Sequence, residues 1–437
     1  MTTHPSAGIA RQGEAKRDQS TIGPKARPNG GGAAPAARPE RLTTHPSAGI
    51  ARQGEAKRDQ PMTGPTIRPN GPPAVDLFCR VIDNYGDIGV CWRLARRLSL
   101  ELGRPTRLWV DDLRAFARLE PAVVPGLSRQ SVAGIDVRLW NDAETAWPEP
   151  APCVIEAFAC ELPAAFRGRL GPGHTWINLE YLSAEDWVES CHGLPSPQPG
   201  GMVKRFLFPG FTARTGGLLR ESGLLAQRDA WQADPDRQEA FLRALGVAGT
   251  LAAEICLGRR RLLSVFCYPH APLQELLGFL SRRGEPWLVL LAAGADPGPA
   301  WPGDAAIVLQ RIPFLGQPDY DRVLWSADLN LVRGEDSFVR AQLAGRPLLW
   351  HIYPQADGAH QTKLEAWLAK AGPPPDLAEL HRRWNAAPAD TAATGAWTLA
   401  SGTASWQDWR HWAQAWSGGL HALPELAETI LAWPPGE

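Results

Sequence analysis

Residues 76–103, DLFCRVIDNYGDIGVCWRLARRLSLELG, decide the fold. The apolar run DLFCRVI (76–82) gives way to the turn-rich DNYGDIG (83–89). VCWRLARRLSLELG (90–103) then places Val90, Leu94, Leu98 and Leu102 at helical spacing before Gly103. Strand, loop and helix in that order are the unit of a parallel α/β sheet. Working outward, TRLWVDD (106–112), IDVRLW (135–140), CVIEAFA (153–159) and HTWINLEYL (174–182) read as further strands of a first sheet. The region 183–250 has a weaker pattern, with LPSPQPGG (194–201) as a loop and DPDRQEAFLRALG (234–246) as a short helix leading between domains. A second series then starts: RLLSVFCYPH (261–270), PWLVLLAAG (286–294), AIVLQRI (306–312), LNLVRG (329–334) and PLLWHI (347–352) are strands. Helical segments alternate with them at 272–284, 320–327, 335–345 and 360–372. The spacing predicts two doubly wound domains facing each other.

The first seventy residues have another character. Residues 2–19, TTHPSAGIARQGEAKRDQ, recur unchanged at 43–60, and GPKARPNG (23–30) is echoed by GPTIRPNG (64–71). Two copies of a unit this poor in large apolar residues cannot build a core, so a disordered tail is expected. The tail holds 11 Lys/Arg against 5 Asp/Glu, leaving 34 against 41 in the body, so the formal charge of −1 conceals a basic tail on an acidic body. That balance gives no whole-chain argument for nucleic acid. No apolar run approaches a membrane span and the N-terminus lacks a signal core, which points to a cytoplasmic protein. Seven scattered Cys without a Cys-x-x-Cys pair argue against both a disulfide framework and a zinc cage. Trp406, Trp409, Trp412 and Trp416 form a helical stripe expected to pack a terminal helix on the core.

Ligands of doubly wound sheets bind beyond the carboxyl ends of the strands, here the loops at 83–89, 268–272, 313–319, 333–337 and 353–359. The first loop holds Asp83 and Asp87, a carboxylate pair able to orient a cation or accept its proton, although Asp87 also suits a helix N-cap. The loop RGEDS (333–337) sets Arg333, Glu335, Asp336 and Ser337 between strand and helix, suited either to clamping a phosphorylated or hydroxyl-rich ligand or to capping. There is no GxxxxGK[ST] and no GxGxxG after a strand, so a P-loop or a standard dinucleotide fingerprint is missing. Asp319-Tyr320-Asp321 matches the acidic triplet of metal-dependent sugar transferases but sits at a helix start, where capping is the simpler reading, and no metal is expected. His351 reads as structural and His360 as a candidate phosphate neighbour.

The segments IDNYGDIGVCWRLAR, RLWVDDL and FCYPH, with the Gln317 loop and YDRVLWSADLNLVRGEDSFVRAQLAGRPLLWHIYPQ, closely resemble the bacterial protein-arginine rhamnosyltransferases that modify elongation factor P. The resemblance runs from residue 75 to 437 and implies a GT-B architecture: two Rossmann-like domains around a central cleft, behind the disordered tail. Expected boundaries are 1–73 for the tail, 74–250 for an acceptor-binding domain, 251–403 for a nucleotide-sugar-binding domain and 404–437 for a C-terminal helical segment. It further implies inverting transfer from dTDP-β-L-rhamnose to an arginine of elongation factor P, with neither metal nor cofactor. The family's essential residues fall on Asp83, Asp87 and Glu335. Donor contacts fall on Phe266, Tyr268, Gln317, Arg333, Asp336 and Ser337, with Tyr320 where the family usually has Phe. Asp87 is the expected base, Asp83 its orienting partner, and anionic Glu335 a ligand for ribose or rhamnose hydroxyls. Phe266 and Tyr320 are expected to sandwich thymine. A catalytically silent relative and a transferase using another nucleotide sugar are the competing readings.

Overall fold

The computed structural model describes residues 72–82, 85–143, 146–298, 306–355, 358–386 and 406–433. The repeated tail and Asp83 lie outside the described residues. The first sheet comprises β1 (Val75–Cys79), β2 (Thr106–Val110), β3 (Arg129–Val132), β4 (Ile135–Leu139), β5 (Cys153–Ala157), β6 (Thr175–Leu179), β7 (Pro195–Pro197) and β8 (Val203–Leu207). Their order is β3-β4-β2-β1-β5-β6-β8-β7. β1 and β2 are buried at every position, as strands covered on both faces must be. Asp76, the second residue of β1, is tolerated because Arg107 grips it bidentately at 2.5 and 2.6 Å while Trp109 Nε1 and the Ala151 N–H also donate to it.

Both edges of this sheet are antiparallel, which the strand pattern does not foretell. β3 and β4 are joined by Ala133 and Gly134 with φ of 48° and 80°, the doubly left-handed geometry of a tight hairpin. β7 lies inside the expected loop LPSPQPGG, and its Pro195 and Pro197 suit an edge that accepts no further strand.

The second sheet comprises β9 (Arg261–Val265), β10 (Trp287–Leu291), β11 (Ile307–Arg311), β12 (Leu329–Arg333) and β13 (Leu348–His351), all parallel in the order β11-β10-β9-β12-β13. Order reverses beside β1 in the first sheet and beside β9 in the second. The loops that leave those strands are where a ligand crevice forms.

The C-terminal segment ties the halves together. In the helix Trp406–His421, Trp409 is buried, and Trp406, Trp412 and Trp416 donate to Glu285, the Ala371 carbonyl and Gln342, so the stripe packs as expected. The next helix, Leu426–Leu431, crosses to the first sheet and buries Leu426, Ala427 and Ile430 in its core. Gly217, with φ of 69°, admits this crossing, since a Cβ there would lie 1.9 Å from the Pro424 carbonyl oxygen. Among the described residues no helix is long and apolar enough to cross a membrane.

Candidate active site

A cleft of about 770 Å³, its open mouth included, lies between the carboxyl ends of the two sheets. Its walls come from Tyr85 and Gly86 of the first loop and from Phe266, Ile312–Leu315, Gln317, Tyr320 and Arg333–Ser337 of the second domain.

On the second-domain side, Arg333 ends β12 with its guanidinium 4.5 Å from the Phe266 ring centre and 4.7 Å from that of Tyr268. Aromatic faces hold this cation, and among the described residues no carboxylate pairs with it, which leaves its charge available to a phosphate. The chain then turns at Gly334 (φ 66°) into the helix Asp336–Leu343, whose N-terminal N–H groups receive no side-chain cap. Those N–H groups and Arg333 make one corner of the cleft attractive to anions. The Tyr268 N–H donates to His351 Nδ1 at 3.2 Å. Burial, followed by the neighbouring His270 and Arg333, lowers the His351 pKa to about 3, so this imidazole is a neutral acceptor holding the loop, as its structural reading required. His360 Nδ1 likewise accepts the Gln355 N–H at 3.1 Å, a contact within its own loop.

Phe266 and Tyr320 do not form the expected sandwich. Their rings meet edge to face at 71° with centres 5.8 Å apart, so no base fits between them. The more exposed aromatic on this wall is Phe314, 40% accessible and edge-on to Tyr85 across the cleft.

Asp87 stands in the first turn of the helix Gly86–Arg96, whose N-cap is Tyr85, so it does not cap that helix. Its carboxylate instead reaches back and across, accepting the Ile82 N–H at 2.8 Å on Oδ2 and the Tyr181 hydroxyl at 3.1 Å on Oδ1. Glu335 comes from the opposite domain and accepts the Leu182 N–H at 2.9 Å. Burial above all raises its pKa to about 8, the Leu182 N–H opposing the shift and the like charge of Asp87 adding to it. This shift favours the protonated carboxyl near neutral pH, against the expectation of an anionic Glu335, and a protonated Glu335 can donate as well as accept a hydrogen bond.

Gln317 and Asp336, expected at the donor, are engaged between the domains. Gln317 Nε2 donates to the Gly89 carbonyl at 2.9 Å and to Asp336 at 3.1 Å, while its Oε1 is buried without a partner among the described residues. Arg93, in the first helix, donates to Asp336 at 2.7 Å, to Glu221 at 3.1 Å and to both oxygens of Asp321 at 3.0 and 3.1 Å. Arg340 grips the same Asp321 at 2.7 and 3.1 Å and Glu221 at 2.6 Å. Burial opposes ionisation of Glu221, yet the guanidinium groups of Arg340 and Arg93 hold its carboxyl well below the usual range. The acidic triplet is thus spent on ion pairs, Asp321 with the two arginines and Asp319 with Arg322. Of the expected site residues, Phe266, Gln317, Tyr320, Arg333, Glu335, Asp336 and Ser337 line this cleft, Tyr268 stands against Arg333, Asp87 is buried behind the Tyr181 hydroxyl, and Asp83 lies outside the described residues. Tyr181, Arg93 and Arg340 escaped sequence reading, their contacts being made across as many as 94 to 243 residues of chain.

A family model described as elongation factor P (EF-P) rhamnosyltransferase EarP matches residues 75–434. The protein-arginine rhamnosyltransferase of Pseudomonas putida is 46% identical over 381 residues, covering 82% of this chain and 97% of that one. Its Neisseria meningitidis counterpart is 38% identical over 393 residues, covering 83% and 97%. A solved structure described as the structural basis for EarP-mediated arginine glycosylation of translation elongation factor EF-P superposes with a TM-score of 0.52 at 33% identity, covering 82% of this chain and 97% of the other. The chain therefore belongs to the EarP family of elongation factor P rhamnosyltransferases, glycosyltransferases of GT-B fold.

Proposed function

We propose that this protein transfers L-rhamnose from dTDP-β-L-rhamnose to the side chain of an arginine of elongation factor P in the cytoplasm, with inversion to α-rhamnosyl-arginine. The observation that carries the reading is that Asp87 of the first domain and Glu335 of the second are held by consecutive residues, Tyr181 and Leu182, beside an anion-attracting corner made by Arg333 and the helix Asp336–Leu343.

The chemistry asks for such a site. A guanidinium has a pKa above about 12 and is a poor nucleophile, so it must be held out of water beside a carboxylate that takes its proton as the bond forms. In this proposal the guanidine nitrogen attacks the anomeric carbon from the face opposite dTDP. The C1–N bond forms as the C1–O bond breaks, the electron pair leaves with dTDP, and the nitrogen's proton passes to Asp87. Asp83 orients the guanidinium. Glu335, neutral and able both to donate and to accept, holds sugar hydroxyls without repelling the diphosphate. The departing charge meets Arg333, Tyr268, Ser337 and the uncapped helix N–H groups, protein groups that serve without a metal. The buried Oε1 of Gln317 is an acceptor awaiting a donor hydroxyl or N–H. In this proposal thymine lies against the apolar wall that Ile312, Phe314 and Leu315 give the cleft.

Incubating the protein with purified elongation factor P and dTDP-β-L-rhamnose, followed by intact-mass and fragment analysis, tests the reading. One deoxyhexose mapped to an arginine is the expected product. No gain with a verified donor and acceptor would refute it.

A further inference from the structure

One short segment joins the two halves of the site. Past the end of β6 the Tyr181 hydroxyl donates to Asp87 at 3.1 Å, and the very next N–H, that of Leu182, donates to Glu335 at 2.9 Å. The Tyr181 ring is stacked on Phe158 with centres 4.4 Å apart and planes at 15°. Phe158, Ala159 and Glu161 follow β5 with φ of 56°, 52° and 56°, a left-handed conformation costly for residues that carry a Cβ. Strain of this kind persists where surrounding contacts enforce it, and here it sets the platform on which Tyr181 lies.

We infer that Tyr181 is a positioning residue for the base, its hydroxyl holding Asp87 ionised and aimed at the acceptor nitrogen. The inference rests on the assignment of Asp87 as base made above. Asp87 is only 2% exposed, and a carboxylate so far from water depends on donated hydrogen bonds to stay charged. The Ile82 N–H serves one oxygen from the backbone of the first loop. Tyr181 serves the other from a ring that is 39% exposed, so this donor lies where the buried carboxylate meets accessible surface. Burial, and then the charge of Asp87, push the phenol pKa up, which keeps the proton on Tyr181 as the donor of this bond.

Tyr181→Phe keeps the stack on Phe158 and removes only the donor. The expected result is a fall in kcat of about ten- to hundred-fold, the worth of one hydrogen bond to a charged group, with donor affinity unchanged. The acidic limb of the kcat profile should also move to higher pH by about one unit, because the lost bond favoured the ionised carboxylate. Wild-type kcat with an unmoved acidic limb would overturn the inference, since a merely structural tyrosine predicts that result. If the wild-type protein transfers no rhamnose, the proposed reaction fails by itself. The Tyr181 claim is then read without turnover, by carbon-13 titration of the Asp87 carboxyl in both proteins: an upward shift in Tyr181→Phe supports it, and coincident curves overturn it.

Discussion

Replacing Arg93 by Met removes the one guanidinium that the first helix sends into the second domain. In the native protein Arg93 is 3% exposed and, with Arg340, faces Asp321, Glu221 and Asp336. After the change Asp321 and Glu221 share the single guanidinium of Arg340, while among the described residues Asp336 keeps only the 3.1 Å bond from Gln317. Removing one partner of a buried ion pair costs about 3–5 kcal/mol, because the remaining charges stay desolvated. The comparison is Arg382→Met, whose pair with Glu365 is about half exposed on both sides and is worth about 1 kcal/mol or less. Urea unfolding followed by tryptophan fluorescence reads both variants. A second consequence separates the network from general stability: Asp336 belongs to the loop that lines the cleft, so Arg93→Met should weaken dTDP binding although Arg93 does not line the cleft. A double-mutant cycle with Asp321→Asn should show coupling of at least about 1 kcal/mol. An Arg93→Met protein as stable as Arg382→Met, with native dTDP affinity and additive behaviour with Asp321→Asn, would refute the reasoning.

Two further expectations concern the ligand corner. The Glu335 pKa is raised from the ordinary 4.5 to about 8. Between these values the folded protein holds a proton that the unfolded chain has released, so stability from this group is full below pH 4.5 and is lost as pH rises through 8. Glu335→Gln should therefore flatten that slope and gain up to about 5 kcal/mol relative to wild type at pH 9, measured by denaturant titration across pH, while transfer is lost; an unchanged slope would contradict the raised pKa. The apolar wall of Ile312, Phe314 and Leu315 should favour the thymine methyl, so dTDP should raise the melting temperature more than UDP at equal concentration. Equal protection would remove that wall as the base subsite.

Much of the fold was legible because buried parallel strands such as LLSV and WLVLL read as apolar runs of strand length, each followed by helical periodicity. The edges were not. The edge strand β3 is RQSV, and β8, next to the edge strand β7, is VKRFL; strands with a wet face or an open edge carry too little apolar signal to stand out. In the site, the loops at the strand ends followed from the alternation of strand and helix, whereas the state of each side chain did not. Asp87 had the spacing of a cap, yet its partners are Ile82 behind it and Tyr181 on a different strand end. Arg93 sits in WRLARR, which reads as a cationic helix face. It is buried because Asp321 and Glu221 come from far along the chain to meet it. The raised pKa of Glu335 is likewise a property of the folded cleft, since burial creates it.

The central claim is that Asp87 takes the proton from the acceptor guanidinium. The most direct measurement is single-turnover transfer to elongation factor P by Asp87→Asn, with dTDP protection measured on the same preparation. The account predicts a loss of at least about a hundred-fold in rate, with native donor protection, for removal of a general base. Transfer at the wild-type rate by a protein that binds dTDP normally would contradict it.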